Sequence, residues 1–176
     1  MSWNFDAAHS KIGFAVRHMM ISKVRGDFKE FDVDLRLDPH NLEDSSVSVT
    51  VQVDSIDTNN ADRDGHLRSA DFFATDEYPT MTFESTGFRD AGDGDVEITG
   101  DLTIKGTTHE ITLTGEQLGP VKSPFGGKSV GYSLTGELDR EAFGLTWNQA
   151  METGGVLVGK KVEIVVEAEV TKADEE

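Results

Sequence analysis

The sequence predicts an all-β domain, on three observations. Apolar residues recur at every second position in eight separate segments, turn-forming residues separate those segments, and helical character is confined to one short stretch. Period-two alternation is what a half-buried antiparallel strand requires, because successive side chains point to opposite faces. Each strand then has one face for water and one for an apolar partner. A two-sheet sandwich or a closed barrel supplies that partner. Eight strands in mostly consecutive hairpin order suit the barrel, which also removes sheet edges.

Ile12, Phe14, Val16, His18 and Met20 share one phase and predict a strand over Phe14–Met20. Phe31, Val33, Leu35 and Leu37 alternate with Asp32, Asp34, Arg36 and Asp38, predicting a strand over Phe28–Leu37 that stops at Asp38-Pro39-His40-Asn41. Val47, Val49, Val51 and Val53 predict Val47–Ile56. Residues 59–73 break the alternation. Ala61, Asp62, Leu67, Ala70 and Asp71 read there as a short amphipathic helix, with Asn59 or Asn60 as its cap. Tyr78-Pro79 then forces an extended entry into Thr80–Phe88. Asp93-Gly94 suits a hairpin turn into Asp95–Ile104. Lys105-Gly106-Thr107 leads into Thr107–Leu118, and a longer loop from Gly119 to Gly127 leads into Lys128–Leu138. In Lys160–Thr171, Val162, Ile164, Val166, Ala168 and Val170 oppose Glu163, Glu167 and Glu169. The domain is expected to span 1–172, with 173–176 a frayed acidic tail.

A chain of 176 residues suits one domain with a substantial core. It has no cysteine, which excludes disulfides, thiolate metal sites and a cysteine nucleophile. Its 33 acidic and 16 basic residues give a formal charge of −17, which opposes nucleic acid and a polybasic dock on an anionic membrane. The charge reads as a solubility device. No apolar run approaches the about 20 residues of a membrane span, so no stable insertion is expected. The first residues carry no basic and apolar leader, so a cytoplasmic location is expected, or a periplasmic or secreted one if a leader has been removed.

Five histidines are present and none has metal-ligand spacing, so no metal and no cofactor is expected. His18 falls on the apolar phase of its strand. It is either a contact for a ligand head group or a general base, or, on the favoured reading, a hydrogen-bonded interior histidine. Arg63-Asp64-x-His66-Leu67-Arg68 is dense in acid–base groups. Asp64 and His66 could form a catalytic pair. The plainer reading is that Arg63, Asp64 and Arg68 anchor the helix. No nucleophile elbow, phosphate loop or dinucleotide fingerprint occurs, and no catalytic residue is assigned.

An eight-stranded barrel is just wide enough to be filled by its own side chains or to hold one small ligand. Small residues interrupt the large ones on several inward phases. Ser85 follows Phe83, Gly100 lies between Ile98 and Leu102, Gly115 follows Leu113, Gly136 lies between Leu134 and Leu138, and Ala168 follows Val166. If they share a level they open a channel; otherwise the glycines mark bulges or bends of the barrel. Strand phase completes the candidate lining with Phe14, Val16, His18, Phe31, Val33, Leu35, Val49 and Val51.

Several motifs resemble a known family. Trp3-x-x-Asp6-x-x-His9-Ser10-x-Ile12-x-Phe14 is similar to the opening of the YceI-like proteins. Ile56-Asp57-Thr58, Arg63-Asp64-x-His66-Leu67-x-Ser69-x-Asp71-Phe72-Phe73 and Tyr78-Pro79-x-Met81-Thr82-Phe83 continue the likeness. So do Gly100-Asp101-Leu102-Thr103-Ile104-Lys105-Gly106, Arg140-x-x-Phe143-Gly144-Leu145-x-Trp147 and Val158-Gly159. The resemblance implies an extended eight-stranded antiparallel lipocalin-like barrel with a helix. It also implies a long isoprenoid lipid as ligand, dimers in some members, and no catalytic set. Binding, for storage or transport, is therefore the leading expectation. An enzyme using His18 or the Asp64/His66 pair, and a structural protein with a packed barrel, are the alternatives.

Overall fold

The computed structural model describes residues 3–19, 21–149, 151 and 157–174. Among these residues eleven strands form one antiparallel sheet. They are β1 (Asn4–Phe5), β2 (Lys11–His18), β3 (Ser22–Phe28), β4 (Phe31–Arg36), β5 (Ser46–Gln52), β6 (Ile56–Asp57), β7 (Thr80–Gly92), β8 (Asp95–Ile104), β9 (Thr107–Lys122), β10 (Lys128–Asp139) and β11 (Val158–Lys172). Among the described residues one α-helix, α1, spans Ala61–Arg68. The pairing runs β4-β5-β7-β8-β9-β10-β11-β2-β3-β6, with β1 added to β11. The sheet curls into a half-barrel. Its path stays open between β4 and β6, where Lys29 N–H donates to the Ser55 carbonyl (3.2 Å). Phe5 meets Phe31 edge-on (6.0 Å) where β1 approaches β4.

The all-β expectation holds, and the strand count exceeds the expected eight. β3 was hidden because Lys23, Arg25 and Asp27 leave only Val24, Gly26 and Phe28 on the other phase, a weak apolar signal. β1 and β6 are two residues each, too short to show a period. The expected Phe28–Leu37 strand divides because Phe28 closes β3 before the chain turns at Lys29-Glu30. The expected Val47–Ile56 strand stops at Gln52, since residues 53–55 form a turn of 3-10 helix that buries Val53. Met20 and Glu175–Glu176 lie outside the described residues.

Local chemistry accounts for the turns and caps. Asp93-Gly94 (φ 54° and 85°) and Lys105-Gly106 (φ 52° and 77°) both take the left-handed pair that a two-residue hairpin needs. Asn60 caps α1 by accepting from Arg63 N–H (3.0 Å). The helix is shorter than the expected 59–73. It stops at Ser69, whose hydroxyl donates to the His66 carbonyl (2.5 Å).

Asp6, His9 and Ser10 staple the start of the chain to β11. Asp6 N–H donates to the Glu169 carbonyl (2.9 Å), and the Ser10 hydroxyl accepts from Glu169 N–H (3.0 Å). The Asp6 carboxylate accepts from Ala8 N–H (3.1 Å) and pairs with His9 Nδ1 (2.7 Å). That hydrogen bond lowers the Asp6 pKa and raises that of His9.

Arg140 is buried after β10 and acts as a clamp. Its guanidinium donates to the carbonyls of Gly159 (2.7 Å), Leu145 (2.6 Å), Trp147 (3.0 Å) and Val158 (3.2 Å). The segment after β10 is thereby tied to the first residues of β11.

Burial is uneven around the barrel. Val96, Ile98, Leu102 and Ile104 of β8, Leu113 of β9 and Leu134 of β10 are buried. Most of the matching inward residues of β2, β4, β5 and β11 are only partly buried, because they face open space rather than one another; Val51 and Val170 are the buried exceptions.

Two predictions follow from the staple and the clamp. Asp6→Asn lowers the His9 titration midpoint toward 6.5, read from imidazole proton shifts by NMR. Because the folded pKa of His9 is raised, the pair's stabilisation is present below that unfolded value and fades as pH rises through the folded one. Because the folded pKa of Asp6 is depressed, the same stabilisation is lost as pH falls below 3.8 through its folded value. Arg140→Met leaves buried carbonyls without a donor and costs about 3–5 kcal/mol in urea unfolding.

Candidate functional site

The half-barrel encloses a cavity of about 620 Å³ whose walls are overwhelmingly apolar. That volume lies within the range of roughly 300–1,000 Å³ typical of small-molecule pockets. It also removes the packed-barrel alternative, which required a filled interior.

Strand phase located most of the wall. Phe14 and Val16 of β2, Val33 and Leu35 of β4, and Val49 and Val51 of β5 line the cavity. Across from them lie Phe83 of β7, Ile98 and Leu102 of β8, Leu113 of β9, Leu134 of β10, and Val166 and Ala168 of β11. His18 lines the cavity where β2 ends, and Arg17 borders it there too despite its opposite phase; because Arg17 is exposed while it borders the cavity, we take this end as a lip of the cavity.

Phe31, Ser85, Gly100, Gly115 and Gly136 do not line it, which corrects the expected belt of small residues. The Phe83 ring lies 2.6 Å from where a Gly100 Cβ would sit, and Leu113 Cδ2 lies 2.7 Å from that of Gly136. At Gly115 the backbone of β10 at Ser133 occupies the space. The glycines admit large neighbours to the wall, so the room they make is filled there. The Ser85 hydroxyl accepts from Val47 N–H (2.8 Å), next to a register shift between Ser85 and Gly87. Phe31 packs against Phe5 at the seam.

Period two could not find the cavity end near α1, since it is built outside the long strands. His66 stands edge-on to Trp147 (4.7 Å) and to Phe72 (5.1 Å), and Phe72 lies 5.4 Å from Trp147. Phe73 meets Phe28 (6.2 Å), which meets Phe14 (5.7 Å). The available signal was the aromatic content of Asp71-Phe72-Phe73 and of Phe143 to Trp147. Tyr132 also lines the wall and donates to Gln117 Oε1 (3.0 Å). Burial pushes its phenol far above the ordinary range, so it stays neutral.

Asp64 and His66 do not form an acid–base pair. Asp64 is buried and accepts from Thr58 N–H (2.9 Å) and from the Thr58 hydroxyl. His66 is bonded instead to Asp71 (2.9 Å). Arg63 donates to Thr58 Oγ1 (2.8 Å) and to the Thr58 carbonyl (2.6 Å). Arg68 donates to the carbonyls of Asp54 (3.1 Å) and Ile56 (3.3 Å). The motif anchors α1 to the segment after β5. Among the described residues, Asp6, His9 and Glu169 offer possible metal-ligand atoms within 4.8 Å of one another. They lie outside the cavity lining, and Asp6 and His9 are already bonded to each other.

Residues 3–170 match the YceI-like domain. A UPF0312 protein of Staphylococcus epidermidis is 45% identical over 168 residues, covering 95% of each chain. The crystal structure of the Campylobacter jejuni YCEI protein is 31% identical and matches with a TM-score of 0.78 over 97% of this chain and 98% of that one. A polyisoprenoid binding domain from Saccharophagus degradans matches with a TM-score of 0.66 over 99% of each chain, at 14% identity, a likeness of fold alone. With the domain matched across nearly the whole sheet, the chain belongs to the YceI-like family.

Proposed function

We propose that the protein binds a long apolar molecule, a polyisoprenoid or a related lipid, inside the half-barrel and acts as its carrier or store. The observation that carries this reading is the cavity itself, with inward residues of β2, β4, β5 and β11 left partly buried around it. Apolar walls left without a partner are costly in water, and a hydrocarbon chain is the partner they fit. Each methylene buried contributes about 0.8 kcal/mol, so a few prenyl units supply substantial affinity without any charged motif. The description of the Saccharophagus degradans domain names the same ligand class for a protein of this fold.

Binding fits the polar residues better than catalysis does. Asp64 and Arg63 are committed to Thr58, Arg140 to backbone carbonyls, and Tyr132 to Gln117. His18 at the lip is left to meet a head group.

Native mass spectrometry of the purified protein is expected to show a bound lipid. Delipidated protein is expected to take up a fluorescent polyprenyl chain from detergent micelles. Val49→Trp projects an indole into the cavity and should cut that uptake by about tenfold or more while the strand signal in circular dichroism is kept. Delipidated wild type that takes up no polyprenyl chain would overturn the reading.

A further inference from the structure

We propose that the β2–β3 hairpin is the surface on which this protein meets an anionic lipid bilayer, with the lip of the cavity held against the headgroups. The turn carries two exposed apolar side chains, Met19 (42%) and Ile21 (79%). No acidic residue occurs between Asp6 and Asp27 in a chain of net charge −17, and Arg17, Lys23 and Arg25 fall in that stretch.

The fold concentrates these cations. β2 and β3 pair Arg17 with Lys23 and Ala15 with Arg25, which puts all three on the outer face of one hairpin. Directly opposed like charges repel, so the arrangement favours an anion nearby. β11 brings one, Glu163, which is paired with Ala15 in register and bonded to Lys23 (2.8 Å). The Lys23 hydrogen bond, then the fields of Lys23, Arg25 and Arg17, hold the Glu163 carboxyl below its ordinary range. One carboxylate among three cations leaves a local positive surplus beside exposed apolar groups, the combination that seats a protein at a membrane interface.

The protein's overall charge does not cancel this surplus. At physiological salt, charges beyond about 8–10 Å are screened, so a bilayer responds to the hairpin end it touches. The hairpin is also continuous with the cavity, since Arg17, His18 and Val24 line the lip together with Leu157 and Val158. A second apolar tip lies on the β9–β10 hairpin, where Phe125 is 97% exposed. That end also carries exposed Leu118 and Val121 and the register-paired Lys122, Lys128 and Lys172, with Asp174 beside it at Gly126, but it does not border the cavity.

The proposal rests on the lipid reading of the cavity only for what passes through the lip, and the two are tested apart. Flotation with phosphatidylcholine vesicles, with and without phosphatidylglycerol, reads docking; polyprenyl uptake from detergent micelles reads the cavity. Wild type is expected to float with the anionic vesicles, to stay behind with neutral ones, and to be released by high salt. The double variant Met19→Ser/Ile21→Ser, and separately Lys23→Gln/Arg25→Gln, should bind the anionic vesicles at least about fivefold more weakly. Both should take up polyprenyl chain from micelles as wild type does, which also shows that they are folded. Phe125→Ser should dock normally. Wild type that floats with no vesicle, or equally with neutral ones, overturns the proposal and leaves the hairpin to a protein partner. Variants that dock unchanged, or docking lost only in Phe125→Ser, overturn it too. Flotation that persists in a wild type unable to take up polyprenyl chain sinks the cavity reading and leaves docking standing.

Discussion

Everything in this fold depends on keeping two apolar walls apart in water. Unpartnered apolar walls tend to close on each other, and an interior normally packs as densely as an organic crystal. The sheet resists because its walls are long antiparallel ladders. β7 to β11 pair along most of their length, so closing the space would break backbone hydrogen bonds across several strands. The glycines act in the same direction. With no Cβ at Gly100 or Gly136, the Phe83 ring and the Leu113 side chain press into the wall at those points.

The ends of the space are held by polar chemistry kept out of it. Arg140 is a buried cation with backbone carbonyls as its partners, and burial lowers its pKa. Removing a cation from water is expensive, and the carbonyls offset that only while the segment after β10 and the start of β11 keep their places. Asp64 and Thr58 do the same for α1, which presents His66, Leu67 and the following Phe72 and Phe73 to the cavity. The acid–base groups that look catalytic in sequence are thus spent on holding an apolar end in position.

Legibility followed periodicity. Where an inward residue sat on a long strand, as with Val49, Ile98 or Val166, alternation alone placed it on the wall. It failed in three ways, each with a physical cause. Phase tells which way a residue points but not what fills the space it points into, so Gly100 and Gly136 read as openings when neighbours occupy them. Strands of two residues, and β3 with charges on one phase and glycine on the other, carry too little apolar contrast to register. Aromatic residues outside the strands, Phe72 and Trp147 among them, have no period at all and are placed at the cavity by local anchors such as Arg140 and Asp64.

The charge balance shows the same limit from another side. A total of −17 is a property of composition, and it weighs against a basic surface only if the charges are spread evenly. They are not, because residues 7–26 contain no acid and the fold doubles that stretch into β2 and β3. Screening confines each surface to its own neighbourhood, so a strongly acidic protein can carry a cationic edge that acts independently of its total. The placement of that edge beside the lip, rather than on the remote β9–β10 tip, ties the protein's electrostatics to its cavity. An apolar cargo has almost no solubility in water, so its passage is easiest where the opening and the bilayer touch. A fold that encloses such a cargo therefore gains from having a basic hairpin at the door.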